Sequence, residues 1–189
     1  VNRLAEQGAT CERMGVRYLF LSVKRRGVEQ VVIYERLRQA GDIAPKHGVV
    51  IALETHPEFG TNGAVQRETM AQVHHPNVRI NFDTGNIHYY NRDADAPTEL
   101  RKIIDYVATV ELKDHRGGFE VWDFPALGQG TVDFPAVLRI LALGGSTTHD
   151  PGLAATDLYP NVLRELLAAR YPSAPDETAL GRNSGRLPG

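Results

Sequence analysis

Residues 49–58, VVIALETHPE, constrain this chain more than any other stretch: five apolar positions between Gly48 and the charged end are too few for a helix, and Pro57 closes them off. A short run that is apolar at every position reads as a strand buried on both faces, and such strands belong to parallel sheets covered by helices. Two later runs repeat the pattern. Residues 78–82 (VRINF) lead into Asp83, Thr84, Gly85 and Asn86, and residues 107–110 (VATV) lead into Glu111, Leu112, Lys113, Asp114 and His115. In open α/β sheets and in closed (β/α) barrels alike, ligands bind outside the carboxyl ends of the strands. Three apolar runs tipped with Glu54, Asp83 and Glu111 therefore deliver carboxylates to the place where chemistry is expected. Helix capping and loop anchoring are the alternative roles, but a buried strand has little other reason to end in a charge, since burying an unpaired charge is costly.

Between these runs the apolar spacing is helical. Residues 2–14 carry Leu4, Cys11 and Met14 on a helical spacing, with Gly15 as the stop. Residues 16–23 (VRYLFLSV) predict a buried strand, followed by Lys24, Arg25, Arg26 and Gly27. That basic loop lacks the Gly-rich spacing of a phosphate cradle and reads as solvated. Residues 28–47 predict a long helix that Pro45 kinks or ends. Residues 64–74 predict another, stopped at His74, His75 and Pro76; neighbouring helical residues diverge by about 100°, so the two histidines read as surface residues and not as a metal pair. Helices are also predicted over residues 96–105, with Pro97 in the first turn, and over 133–141, with Asp133 as N-cap. The loop from Asp114 to about Thr131 holds Trp122, Gly128 and Gly130, and loops of this length in a compact domain are as a rule functional. The two glycines most simply permit a tight backbone path, because a nucleotide fingerprint would need a strand directly before them and a helix opening on the last Gly. Trp122 is expected to pack the loop down, with covering of a bound ligand as the alternative.

Composition narrows the function classes. With 189 residues and 42% hydrophobic content the chain can bury one sizeable core. No apolar run approaches the roughly 20 residues of a membrane helix, and the first residues have no signal-peptide core. The lone Cys11 allows no internal disulfide, in keeping with a reducing compartment, and a cytoplasmic location is the default expectation. A net charge of −2 with both signs interspersed argues against nucleic acid as principal partner, which would call for a basic excess. Beyond Gly144 the alternation fades. The expected division is a barrel-like unit over residues 1–143, an atypical loop and short helix over 144–171, and a Pro-, Gly-, Ser- and Arg-rich tail over 172–189, expected to be disordered.

Four strands alternating with helices imply βα units, whereas a closed eight-stranded barrel takes about 250 residues. The series IALE (51–54), NFDTGN (81–86), ELKD (111–114) and ALGQGTVDF (126–134), in this order and spacing, resembles the xylose isomerase-like TIM barrel family over roughly residues 1–142. That family groups sugar and sugar-phosphate isomerases and epimerases with type IV apurinic endonucleases. The resemblance implies an α/β fold, a partial (β/α)8 TIM barrel that enters in the helix before the fourth strand. Strands four to seven are then present, the first three absent and the eighth in doubt, and a chain that begins with Val suits a fragment.

The resemblance also implies an activity: metal-dependent isomerisation or epimerisation of a small-molecule sugar or sugar phosphate. Glu54 matches a residue that is both metal ligand and proton-transfer group, and Asp83 matches a second ligand. Glu111 stands where the family commonly has a metal-binding His, Asn86 where many members have a His three residues after the Asp, and the eighth-strand Glu has no convincing counterpart after Gly144. An all-oxygen set of Glu54, Asp83 and Glu111 suits Mn²⁺ or Mg²⁺ better than Zn²⁺. In the family chemistry a carboxylate removes a proton beside a carbonyl and returns it, while the ion holds the charge of the enediolate. His56, Asn86, His88, Lys113 and Arg116 are the expected contacts to substrate hydroxyls or phosphate. Two other readings stand beside this one. A truncated or impaired barrel would serve as a binding or assembly module, its open strand edges favouring self-association. An endonuclease-like phosphodiesterase would want a His-rich zinc site and a basic groove, against which Asn86, Glu111 and the acidic net charge speak.

Overall fold

The computed structural model of the protein describes residues 2–143. Four strands, β1 (Tyr18–Leu21), β2 (Val50–Glu54), β3 (Val78–Asp83) and β4 (Val107–Glu111), form one sheet in the order β1-β2-β3-β4, every pair parallel. Helices α1 (Asn2–Met14), α2 (Gln30–Ile43), α3 (Gly63–Val73), α4 (Thr84–Tyr90), α5 (Ala96–Ile103) and α6 (Phe134–Leu143) precede, connect and follow them. Parallel neighbours taken in sequence order, each joined to the next by a helical crossover, are consecutive units of a (β/α) barrel, so the fold is α/β and the barrel is partial.

Register sorts the side chains onto two faces, because partners in parallel strands share a face and successive residues alternate. Ile51, Leu53, Val78, Ile80 and Phe82 point to the helical side, all 3% exposed or less, and pack in one core with Leu37 of α2, Val73 of α3, Leu100 of α5 and Val137 of α6. Burying side chains of this size stabilises the fold by roughly 1.5–3 kcal/mol each. The other face corresponds to a barrel interior. It carries Phe20 beside Ala52, Glu54 beside Asn81, Asn81 beside Thr109, and Asp83 beside Glu111. A shift of register between Ile80 and Asn81 realigns β4 by one residue, which is what sets Asp83 opposite Glu111. Tyr18 and Phe20 on this face of β1 are 41% and 49% exposed.

The elements follow their sequence signals with instructive differences. The long helix expected over 28–47 stops at Ile43 and continues as a single 3₁₀ turn, Ala44–His47, with Pro45 in its first turn and Gly48 at φ 66° ending it. Proline lacks the N–H that a continuing α-helix would need there. Asn62 starts α3 by accepting from the Val65 N–H at 3.1 Å, and the exposed His74 ends it in the left-handed region. Helix α4, which the spacing does not predict, begins on the residue after β3 ends. The atypical segment over 144–171 and the tail over 172–189 lie outside the described residues, as does the stretch after Gly144 in which the sequence offers no convincing eighth-strand Glu. Among the described residues no helix is long and apolar enough to cross a membrane.

Candidate active site at the strand ends

Asp83 is the last residue of β3 and the N-cap of α4 at once. Its Oδ1 accepts from the backbone N–H groups of Gly85 and Asn86, both at 2.9 Å, which satisfies two of the donors a helix leaves unpaired at its start. Its Oδ2 accepts from Lys113 Nζ at 3.1 Å. Burial pushes this carboxyl above the ordinary Asp range and Glu111 adds to the effect, outweighing the Asn86 N–H and the Lys113 ammonium, which pull the other way.

Each neighbour of Asp83 in the DTGN motif holds Lys113. Thr84 Oγ1 donates to the Lys113 carbonyl at 2.7 Å and accepts from the Lys113 N–H at 2.9 Å, clamping that residue's backbone. Gly85 gives the lysine stem its path: a Cβ there would lie 2.9 Å from Lys113 Cγ and 3.1 Å from the Lys113 carbonyl oxygen. Asn86 Oδ1 accepts from Lys113 Nζ at 2.9 Å, while Asn86 Nδ2 donates to the Thr55 carbonyl at 3.0 Å. Thr55, fully buried at the end of β2, ties the strands together, its Oγ1 receiving the Asp83 N–H at 3.0 Å and Gln66 Nε2 at 2.9 Å and donating to the Asn81 carbonyl. The Lys113 ammonium also sits 4.4 Å from the centroid of Phe124, a cation–π contact.

Glu54 is half-buried on the same face, one strand away, and its carboxylate takes part in no hydrogen bond or ion pair with the described residues. The charges of Glu54 and Asp83 both reach the Tyr90 hydroxyl, whose pKa is raised by burial first and then by Glu54, Tyr89 and Asp83. Glu111 lies opposite Asp83 but is exposed. The three acids therefore share a face and an end of the sheet without gathering around one point: among the described residues no group of three or more His, Cys, Asp and Glu is placed to hold a metal ion. Both oxygens of Asp83 are already engaged, one by a helix start and one by a cation. The expected Mn²⁺ or Mg²⁺ ligand set of Glu54, Asp83 and Glu111 does not fit a divalent ion in this arrangement.

The remaining expected contacts divide. Lys113 and Asn86 are at the centre of the site. His56, at the rim after β2, packs edge-on against Tyr90 with ring centroids 5.1 Å apart. His88 stacks on His115 at 6.4 Å, its buried Nε2 has no partner among the described residues, and its pKa is lowered by burial and by His115 against the pull of Asp95 and Asp114. Arg116 turns to its own loop, pairing with Asp123 at 3.5 Å and donating to the Gln129 carbonyl, so it braces the loop.

Of the groups that build the walls, sequence reasoning offered Trp122 but missed the roles of Asp114, Tyr89 and Phe124. Asp114, completely enclosed, collects backbone N–H groups from His115 and Val132 on Oδ1 and from Gly128 and Gly130 on Oδ2, at 2.8–3.2 Å. The two glycines serve this carboxylate, and a Cβ on Gly130 would collide with it. Tyr89, Trp122 and Phe124 form an aromatic cluster next to Lys113, with centroids 5.0–5.8 Å apart. Trp122 both packs on its neighbours and remains 79% exposed. The signal for the loop anchor was present in the sequence as an Asp at a strand end followed by a Gly-x-Gly fourteen residues later.

Residues 1–147 match the family model described as xylose isomerase-like TIM barrel. No curated protein matches the chain. Among solved structures it is similar to a xylose isomerase domain protein from Planctomyces limnophilus, at 25% identity and TM-score 0.64, covering 74% of this chain and 53% of that one. It is also similar to the IOLI protein with a binding zinc atom, at 23% identity and TM-score 0.59, over 74% of this chain and 54% of that one. An L-ribulose 3-epimerase aligns at 17% identity and TM-score 0.63, over 97% of this chain and 71% of that one. The chain spans about half the length of the first two, 53% and 54%.

Proposed function

The chain belongs to the xylose isomerase-like TIM barrel family, and on that premise we propose that it carries the proton-transfer side of a sugar or sugar-phosphate isomerase or epimerase site, with Glu54 as the base. The observation that carries this reading is the division of labour among the strand-end acids. Asp83 and Asp114 are consumed by backbone donors and a lysine, and Glu111 is exposed, whereas Glu54 is half-buried at the carboxyl end of β2 with its carboxylate uncommitted among the described residues. A base must keep its lone pairs for the substrate and must sit where water does not fully solvate it.

In this role the Glu54 carboxylate takes the proton from the carbon beside a sugar carbonyl. The C–H electron pair becomes the new C=C bond, and the carbonyl oxygen receives the displaced pair to give an enediolate. Return of the proton by Glu54 to the neighbouring carbon, with the hydroxyl proton passing from one enediolate oxygen to the other, yields the isomer; epimerisation needs in addition a donor on the opposite face of the carbon, a part Glu54 does not play. His56 and Tyr90, packed edge-on at the rim beside Glu54, supply polar contacts to hydroxyls, and the aromatic cluster supplies an apolar wall for the C–H face of a sugar. The L-ribulose 3-epimerase supports sugar chemistry on this fold, and the zinc atom bound by the IOLI protein supports a divalent metal in the family. Among the described residues no group of three His, Cys, Asp or Glu assembles a site for a divalent ion, and the proton transfer is ascribed to Glu54 itself.

Hydrogen exchange into a panel of ketopentoses and ketohexoses in D₂O, followed by NMR, tests the proposal. Exchange at the carbon beside the carbonyl is expected, with Glu54→Gln slowing it by about 10²–10⁴-fold, the usual worth of a positioned acid–base group. Absence of exchange with every sugar of the panel would defeat it. A second reading, an assembly module, draws on the exposure of Tyr18 and Phe20 on the interior face of β1.

A further inference from the structure

We propose that the Lys113 ammonium is the resident cation of this site, holding the oxygen of Asp83 that a divalent ion would need, and that it receives the oxyanion of the substrate. Four consecutive residues are fitted to this one side chain. Asp83 supplies a counter-charge 3.1 Å from Nζ, Thr84 clamps the Lys113 backbone from both sides, Gly85 leaves room for the stem, and Asn86 supplies a neutral acceptor at 2.9 Å. A lysine that paired with Asp83 by chance would need none of the other three.

Asn86 explains the arrangement further. Its amide group donates to the Thr55 carbonyl, which turns its oxygen to Lys113. An ammonium has three N–H donors. Asp83 and Asn86 occupy two, and one is left for a ligand oxygen. The lysine side chain is 29% exposed beside the aromatic cluster, so a small molecule can reach it, while the Phe124 ring 4.4 Å away limits how much water competes. A fixed positive donor beside a developing oxyanion supplies what catalysis of enolisation requires besides the base.

The catalytic half of this inference rests on the proton-transfer reading of Glu54, and its step balances within the site. Glu54 accepts the carbon-bound proton, the electron pair moves through the new C=C bond onto the carbonyl oxygen, and that oxygen accepts a hydrogen bond from Lys113, which stays protonated throughout. Return of the proton from Glu54 restores the carbonyl and both side chains.

Two measurements on the full chain separate the cation assignment from the reaction. In the first, the electron paramagnetic resonance signal of free Mn²⁺ is recorded with stoichiometric wild-type protein and no sugar. The signal is expected to stay at the level of the buffer control, and its quenching by wild type but not by Asp83→Asn would overturn the assignment. In the second, solvent exchange into the active ketose is followed with EDTA present. Exchange is expected to persist, to fall about 10²-fold in Lys113→Ala, as when an oxyanion donor is lost, and to recover in part on adding propylammonium. Recovery also shows that the variant is folded. Abolition by EDTA with restoration by Mn²⁺, or an unchanged rate in Lys113→Ala, would overturn the catalytic role. Should wild type exchange no sugar at all, the Glu54 reading fails, and the Mn²⁺ measurement alone decides what cation belongs at Asp83.

Discussion

A carboxylate inside a protein is tolerated in proportion to the donors it meets, and Asp114 meets four. Burial pushes its carboxyl up, but the N–H groups of Gly130, His115, Val132 and Gly128 together outweigh that and leave the pKa below the ordinary Asp value. The sign of the pH effect follows. With the folded-state pKa depressed, the unfolded chain binds the proton more readily, so the stabilisation is present above about pH 4 and is lost as pH falls through the folded pKa. Asp114→Asn presents one acceptor oxygen in place of two and is expected to lose about 2–4 kcal/mol near neutral pH. It should also show a flatter acid limb in urea unfolding below about pH 4; a limb as steep as that of the wild type would argue against this account. At this scale the sequence was readable for Glu54, Asp83 and Glu111, because an apolar run that stops in an acid is visible as spacing. It offered Lys113 as a substrate contact but not as the partner of Asp83, and it was mute on Thr55 and Tyr90, because these roles come from contacts between strands and loops that lie about thirty residues apart along the chain, such as Asp83 with Lys113.

Elements were legible where periodicity ran long enough to average. Strands β2, β3 and β4 and helices α1, α3, α5 and α6 could be drawn from apolar spacing, caps and prolines. Helix α4 could not. Its seven residues, TGNIHYY, begin on a Thr-Gly pair that reads as a turn, and its first turn is set by Asp83 from the strand before it, a tertiary arrangement that overrides weak local preference. The same short helix carries the Lys113 clamp, so its integrity can be tested through Thr84. Thr84→Val removes both side-chain bonds to the Lys113 backbone in a nearly isosteric change and is expected to cost about 1–3 kcal/mol. Thr84→Ser, which keeps the hydroxyl, is expected to cost much less, and equal losses in thermal unfolding would show that the clamp contributes nothing. Gly85→Ala should be destabilised as well, since the added methyl meets the lysine stem and its carbonyl.

At the level of the whole described unit, the sheet has two ends. Within it β1 pairs only with β2 and β4 only with β3, and the interior face of β1 leaves Tyr18 and Phe20 about half exposed. Unpaired parallel strands beside uncovered aromatics are a template for association. The 189-residue chain is therefore expected to self-associate as concentration rises in light-scattering-coupled gel filtration, and Tyr18→Ser with Phe20→Ser to shift it toward the monomer. A wild-type chain that stays monomeric throughout would count against the assembly reading and leave the enzymatic one untouched. The partial barrel itself was foreseeable from four motifs in a fixed order, whereas the failure of three acids to converge was not, because convergence depends on how a sheet curls and on which neighbours claim each oxygen first.

Asp83 finishes a strand and starts a helix with the same carboxylate. A lineage that stopped needing turnover could not replace this acid by a residue that does not cap a helix without weakening the first turn that follows it. The residue is thus expected to outlive whatever reaction it once assisted, and finding an aspartate at this place in a relative says that the relative folds, not that it works.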